Sequence, residues 1–309
     1  MRLAEPIHRI ERATGLDRAV TAVQHRVDRI PEGRFRDMLH GVPLGHPLHP
    51  PLVQVPIGAW TSAALLDLFP RTHRAATALI NVGIVTALPA ALAGTTDWSR
   101  QNRSHQRVGL VHAAANGTAL GLYLASSLAR IRGRRGWGRA LAFAGLTSVG
   151  VSSFLGGHIA YHMAGGANQA AYAVGRLPGQ WRDIGALAEF PQGRPTATAV
   201  GDVPVVVVRS GTEVSALVNI CAHMGAPLSQ GELRGACLVC PWHGSAFRLS
   251  DGEVVGGPAS ASQPTLQARV RDGRVSVRRS RGGAMVPRQR QRERDIERSA
   301  VSGTAQAGK

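Results

Sequence analysis

The sequence predicts two unlike parts in one chain: a multi-span α-helical membrane bundle of four transmembrane helices, then a small all-β domain. Three observations predict this. Four runs dominated by Ala, Leu, Val and Gly, at residues 52–69, 75–94, 108–130 and 140–161, each approach the ~20 residues needed to cross ~30 Å of hydrocarbon. The loops between them are short and carry arginine. Beyond residue 180 the pattern changes to short β-type runs separated by glycine turns.

Residues 1–40 form the first element. Leu3, Ile7 and Ile10, then Leu16, Val20, Val23, Val27 and Ile30, recur three or four apart within each run, with Arg2, Arg9, Arg12, Arg18, Arg26 and Arg29 among them. This is the pattern of a basic amphipathic helix, weakest at Gly15. It suits either a membrane interface or packing against its own domain. Residues 41–163 hold the four spans. A helix that stays apolar on every face for 20 residues rarely occurs in a soluble fold. Trp98, Trp137 and Tyr161 stand at run ends, where amphipathic rings meet the headgroups. Gly117 and Gly121 form a GxxxG that would let helices approach, and Pro89 predicts a kink near the end of the second span.

A Gly/Ala-rich connector at 164–180 leads into the β domain, 181–281. VPVVVVR (203–209) and EVSALVN (213–219) flank a Ser-Gly turn, and Asp251-Gly252 and Asp272-Gly273 each separate β-type runs. Residues 282–309 are polar, charged and without periodicity, the composition of a disordered basic tail.

Charge points to the surroundings. The 309 residues carry a net charge of +17, and Lys309 is the only lysine. Because the arginines flank apolar runs, the basicity fits an anionic membrane surface; lipids are the expected partner and nucleic acid is not. On the N-terminal side of the spans stand Arg26, Arg29, Arg34, Arg36, Arg100, Arg103, Arg107, Arg176 and Arg182. The other side has Arg71, Arg74, Arg130, Arg132, Arg134, Arg135 and Arg139. That balance, with no apolar leader or arginine pair in the first 40 residues, places both termini and the β domain in the cytoplasm.

The chemistry is concentrated in the β domain. Three cysteines do not make a disulfide framework. Cys221-x-His223 is followed, after sixteen residues, by Cys240-x-x-His243, so each short segment offers one thiolate and one imidazole. Taken alone, these residues leave zinc open. Cys237 and Cys240 form a CxxC that could join His243 and either Cys221 or His223 in a structural site.

The flanking segments WRDIGAL, GAPLSQGEL and CPWHGSAF, with the paired Cys–His boxes, resemble the Rieske [2Fe–2S] domain of the ferredoxin type. The resemblance implies that Cys221 and Cys240 hold one iron and His223 and His243 the other, with Cys237 a spare strand residue. It also implies that Ser245 hydrogen-bonds the cluster. Respiratory members carry a disulfide between their boxes and a tyrosine beside the cluster; here Ala226, Trp242 and Phe247 stand in those places. Losing a hydrogen bond to the cluster lowers its potential, so the midpoint is expected between ferredoxin-type and respiratory centres, nearer the former. The implied function is one-electron transfer between a donor and an acceptor protein.

A second constellation lies in the membrane part. An even number of crossings returns the chain to one side, which gathers His46, His49, Asp97, His105, His112, His158 and His162 at one end. Intramembrane ionisable groups are functional suspects. Three readings stand: a haem b or metal held by His112 and His158, a quinone pocket whose histidines accept protons, and histidines hydrogen-bonded at headgroup level. The segments GHPLHPPLVQVPIGAWTSAALLDL and LGGHIAYHMAGGAN resemble an uncharacterised bacterial family of four-span membrane domains, some fused to a C-terminal Rieske domain. That implies the architecture and a bacterial cell membrane, and no activity. The chain could thus be an anchored carrier, a quinol- or haem-linked oxidoreductase with the cluster as internal acceptor, or a redox sensor or scaffold.

Overall fold

The computed structural model describes residues 4–280, so the tail expected at 282–309 lies outside the described residues. They divide into two compact units: one running to Ala167 together with Gly256–Ser260, and one formed by the rest.

The first unit is helical. Its helices are α1 (Ala4–Arg12), α2 (Asp17–Val27), α3 (Arg34–His40), α4 (His49–Leu66), α5 (His73–Ser99), α6 (Arg103–Ile131) and α7 (Arg135–Gly157), the last continued by a π turn at His158–His162. The amphipathic N-terminal segment is broken where Gly15 predicted weakness, at a 3-10 turn over Thr14–Leu16. Its apolar stripe faces inward: Ile7 and Val20 are buried. Arg107 grips the segment from α6, donating from Nε and Nη2 to the two Asp17 oxygens at 2.7 and 2.8 Å. Burial of the stripe on its own unit is therefore the packing realised here.

Helices α4 and α5 pack as one pair and α6 and α7 as another. Three helical segments, His73–Ser99, Arg103–Ile131 and Arg135–His162, are long and apolar enough to cross a membrane, and only 22–28% of their apolar windows is buried within the chain. Such outward apolar faces are what lipid would cover. The expected fourth span, α4, does not reach that standard. Its 18 residues extend about 27 Å at ~1.5 Å per residue, enough in length, but its first turn is spent on His49, Pro50 and Pro51, which lower its apolarity. In α5, Pro89 lies ten residues inside a helix that continues to Ser99.

Small residues set the helix approaches, though not at the GxxxG. Gly117 and Gly121 are exposed and face open space, because that stripe of α6 points away from the other helices of the chain. Gly83 makes the close contact instead: a Cβ there would lie 2.2 Å from Trp60 Nε1. Trp60 in turn stacks on Tyr123, with ring centroids 4.2 Å apart. At one end of the bundle a buried ion pair joins two helices. Arg130 Nη1 donates to Asp67 Oδ1 at 2.9 Å, Nη2 donates to Oδ2, and Nε donates to Ser126 Oγ at 3.2 Å.

The second unit is the β domain. Its strands are β1 (Arg182–Ala186), β2 (Thr196–Val200), β3 (Val203–Ser210), β4 (Glu213–Val218), β5 (Glu232–Arg234), β6 (Cys237–Val239), β7 (Ala246–Arg248), β8 (Val254–Gly256), β9 (Thr265–Arg271) and β10 (Arg274–Arg279). Six form one sheet in the order β1-β10-β9-β4-β3-β2, and β5-β6-β7-β8 form a second. The β9–β10 hairpin turns on Asp272 (φ 49°) and Gly273 (φ 70°), both left-handed as a two-residue type I′ turn requires. The core collects Val205, Val207, Val218, Val275 and Val277. The segment expected to be a connector contributes too: α8 (Ala171–Val174) supplies Ala173, and Ala170 and Leu177 are buried in the same core. These small and branched apolar residues are sequestered because the β sheet leaves one face to be covered.

Candidate metal centre

Two loops carry the Cys–His boxes, and they close in the same way. In the first, Cys221 N donates to Ala226 O at 2.8 Å and Gly225 N to Cys221 O at 2.9 Å. In the second, Cys240 N donates to Ser245 O at 2.8 Å and Gly244 N to Cys240 O at 3.1 Å. Each turn needs a left-handed residue four places after its cysteine, and glycine stands at both: Gly225 at φ 79° and Gly244 at φ 77°. The histidine falls two residues after the first cysteine and three after the second, yet the frame is shared.

This closure brings the four side chains together. The thiols of Cys221 and Cys240 are hydrogen-bonded to each other, and the rings of His223 and His243 lie 5.0 Å apart, edge to face. Both cysteines are buried, at 1% and 3% exposure, whereas both histidines are half-buried. The thiol pair shares its proton unequally. The hydrogen bond to Cys221 holds Cys240 down to about 7 against the opposing effect of burial, while that same bond and burial push Cys221 up. The pairing thus favours the thiolate at Cys240, the form a metal needs.

Cys237 stands apart. It lies half-buried in β6, in register with Arg248. Burial raises its thiol, and the charges it senses are those of Arg248 and Asp251. The thiol partner of Cys240 is Cys221 rather than its neighbour in the CxxC. Ser245 and Phe247 are fully buried in the second loop and its strand β7, and Ala226 is buried in the first. All three cysteines are free thiols.

A residue that sequence reading missed supports the first loop. Gln263, buried just before β9, donates from Nε2 to Val218 O (2.7 Å) and Ile220 O (2.8 Å) and accepts from Ala222 N (2.9 Å). Asn219 closes the loop's other shoulder, accepting from Ser229 N at 2.7 Å and donating to Ser229 Oγ at 3.0 Å. No motif marks either amide; only the tertiary path puts them there.

The histidines of the helical unit separate into small groups. His49 and His112 face each other with ring centroids 6.5 Å apart, and each donates from Nδ1 to a backbone carbonyl, of Ala90 and Ser152, at 2.8 Å. Asn116 Nδ2 donates to His112 Nε2 at 3.0 Å. Asp97 pairs with His40 Nδ1 at 2.7 Å. His105 bonds to Asn102 Oδ1 and Met163 O. His46 is exposed. His158 meets Glu11, His8 and His162 in place of His112. Glu11 and His8 belong to α1, where the sequence pattern singled out only apolar residues and arginines.

Comparison with known proteins follows this division. Residues 180–267 match the family model of the Rieske [2Fe-2S] domain, and residues 45–169 match that of a predicted membrane protein family, DUF2231. The anthranilate 1,2-dioxygenase ferredoxin subunit of Burkholderia cepacia is 32% identical over 98 residues, which are 32% of this chain and 91% of that protein. Ferredoxin CarAc of Metapseudomonas resinovorans is 31% identical over 98 residues, covering 31% of this chain and 92% of the relative. The cytochrome b6-f complex iron-sulfur subunit of Chlorobaculum tepidum is 27% identical over 94 residues, 30% of this chain and 51% of that subunit. A Rieske domain carries a [2Fe–2S] cluster on two cysteines and two histidines. The donor set assembled here, two thiols in mutual contact beside two adjoining imidazoles, fits that group. On these grounds the chain belongs to the Rieske [2Fe–2S] family, with a DUF2231 membrane domain ahead of its Rieske domain.

Proposed function

We propose that this protein is a membrane-anchored one-electron carrier, with Cys221 and Cys240 holding one iron and His223 and His243 the other. The bound [2Fe–2S] group supplies a one-electron couple. The chain's own residues do the rest. The cysteine pair binds from inside the domain, Gly225 and Gly244 shape the two turns, and the half-buried histidines form the rim that a partner can approach. The unequal burial of thiols and imidazoles carries this reading. It seals the thiolate side from water and leaves the imidazole side as the short route for an electron. Trp242, 56% exposed, lies 6.4 Å from the His243 ring and extends that rim as a contact for a donor or acceptor protein.

The apolar outward faces of three helices support residence in a membrane, and the arginine distribution supports a cytoplasmic β domain in a bacterial cell membrane. The similarity to dioxygenase ferredoxins supports a soluble or membrane oxidoreductase as the electron acceptor. EPR of the reduced membrane fraction is the test. A rhombic signal of low average g is expected, lost in Cys240→Ser and retained in Cys237→Ser. A colourless protein holding zinc, or loss of the signal in Cys237→Ser, would overturn the assignment.

A further inference from the structure

The π turn that ends the last long helix gathers a second donor set, unrelated to the cysteine loops. His158 and His162 stack there with ring centroids 4.5 Å apart and planes 26° from parallel. From α1, His8 and Glu11 reach the same spot. Glu11 Oε1 lies 2.7 Å from His158 Nε2 and 3.1 Å from His8 Nδ1, and the His8 ring is 5.4 Å from that of His162. One ligand atom from each of the four lies within 4.8 Å of every other. We infer that His8, Glu11, His158 and His162 form a four-coordinate site for a divalent cation of the zinc class, clipping the N-terminal helix to the end of the last span.

The chemistry fits. Three imidazoles and one carboxylate are borderline donors of the kind zinc takes in tetrahedral sites. With zinc–ligand bonds of ~2.0–2.1 Å, tetrahedral geometry puts neighbouring ligand atoms roughly 3.3 Å apart. The Glu11 contacts, at 2.7 and 3.1 Å, fall just short of that value, and the wider separations close by rotating imidazoles. His162 is the exposed member and has the freedom to do so.

The frame is already in place. Ile7 packs with Val108 and Leu155, joined by Ile10, Val111, Ile159 and Met163, so the helix bearing His8 and Glu11 is fixed without any ion. Arg107 Nη1 donates to Glu11 O at 2.8 Å and fixes its backbone. Burial would raise the Glu11 carboxyl, but its hydrogen bonds to His158 and His8 outweigh that and hold it below its ordinary value, in the ionised form a ligand needs. The π turn contributes as well. Met163 N donates to His158 O, a five-residue step that lets two imidazoles four residues apart stack on one side; such turns concentrate at functional sites. A plain ion pair would need one histidine for one carboxylate, whereas three converge here.

The inference does not rest on the electron-carrier reading, and its test keeps the two apart. The full chain, purified in detergent and stripped with a mild chelator, is titrated with zinc against a chromophoric chelator, with iron, zinc and acid-labile sulfide counted per chain. One zinc beyond the iron accounted for by sulfide is expected. Affinity should fall about a hundredfold or more in His162→Gln and in Glu11→Gln, with helical circular dichroism and sulfide content unchanged. Because His162 is exposed, its variant keeps the fold. Equal zinc binding by wild type and both variants, or none by wild type, would overturn the site. Absence of sulfide would overturn the cluster and leave the zinc count standing.

Discussion

Replacing Gln263 is the most informative perturbation of the cluster loops, because this one side chain satisfies three backbone groups of the first of them. Gln263→Leu keeps the volume and removes every hydrogen bond. The Ala222 N–H, in a residue only 3% exposed, is then left without its partner, which costs roughly 1–3 kcal/mol. The Val218 and Ile220 carbonyls each lose a bond worth about 0.5–1.5 kcal/mol. Together this is roughly 2–6 kcal/mol, against a stability of ~5–15 kcal/mol for a typical domain. Since about 1.4 kcal/mol is tenfold in an equilibrium, loosening of the Cys221 loop should speed metal loss about a hundredfold. The assay is anaerobic bleaching of the cluster's visible absorption by an iron chelator, wild type against variant. Gln263→Glu sharpens it. The carboxylate still accepts from Ala222 but faces two carbonyls it cannot serve, so its pKa is raised. A raised acid favours the fold only while protonated, so this variant should become more stable as pH falls and less so as pH rises. Bleaching of Gln263→Leu within threefold of wild type would refute the reasoning.

Three further outcomes are expected. Asp67→Asn strands the buried Arg130 guanidinium and should lower stability by about 3–5 kcal/mol, whereas Asp67→Leu with Arg130→Met should recover most of it; thermal loss of helical circular dichroism in detergent measures both. The Arg107 hydrogen bonds hold the Asp17 carboxyl below its ordinary value, so their contribution is present above ~pH 3.9 and lost as pH falls through the lower folded value. Asp17→Asn should therefore expose α2 to limited proteolysis at neutral pH and remove that step. Phe247→Tyr supplies a hydroxyl where respiratory centres have one. A bond of ~0.5–1.5 kcal/mol to the reduced state, at about 59 mV per 1.4 kcal/mol, raises the midpoint by roughly 20–60 mV in a redox titration.

The hydrophobic runs and the Cys–His boxes were legible in the sequence because each is a local pattern. Hairpin turns such as Asp272-Gly273 announce themselves through the glycine their backbone demands. What was not legible depends on distant neighbours. Nothing around Gln263 signals that it will latch a loop some forty residues upstream. His8 and Glu11 sit in a short helix whose sequence carries no ligand motif, and only the packing of Ile7 turns them toward His158. The GxxxG shows the converse. Gly117 and Gly121 match a pattern, while close approach occurs at glycines outside it, such as Gly83 against Trp60 and Gly109 against Trp98. The fourth apolar run folds as α4, but its opening His-Pro-Pro leaves it less apolar than the three longer helices.

In the larger sheet of the β domain the first strand and the last lie side by side, Arg182 opposite Val277, and Arg279 N donates to Pro178 O at 2.7 Å. The polypeptide therefore enters and leaves this module through one doorway. A cassette built that way can be spliced onto the end of an unrelated protein, or cut free as a separate subunit, without rethreading a single strand.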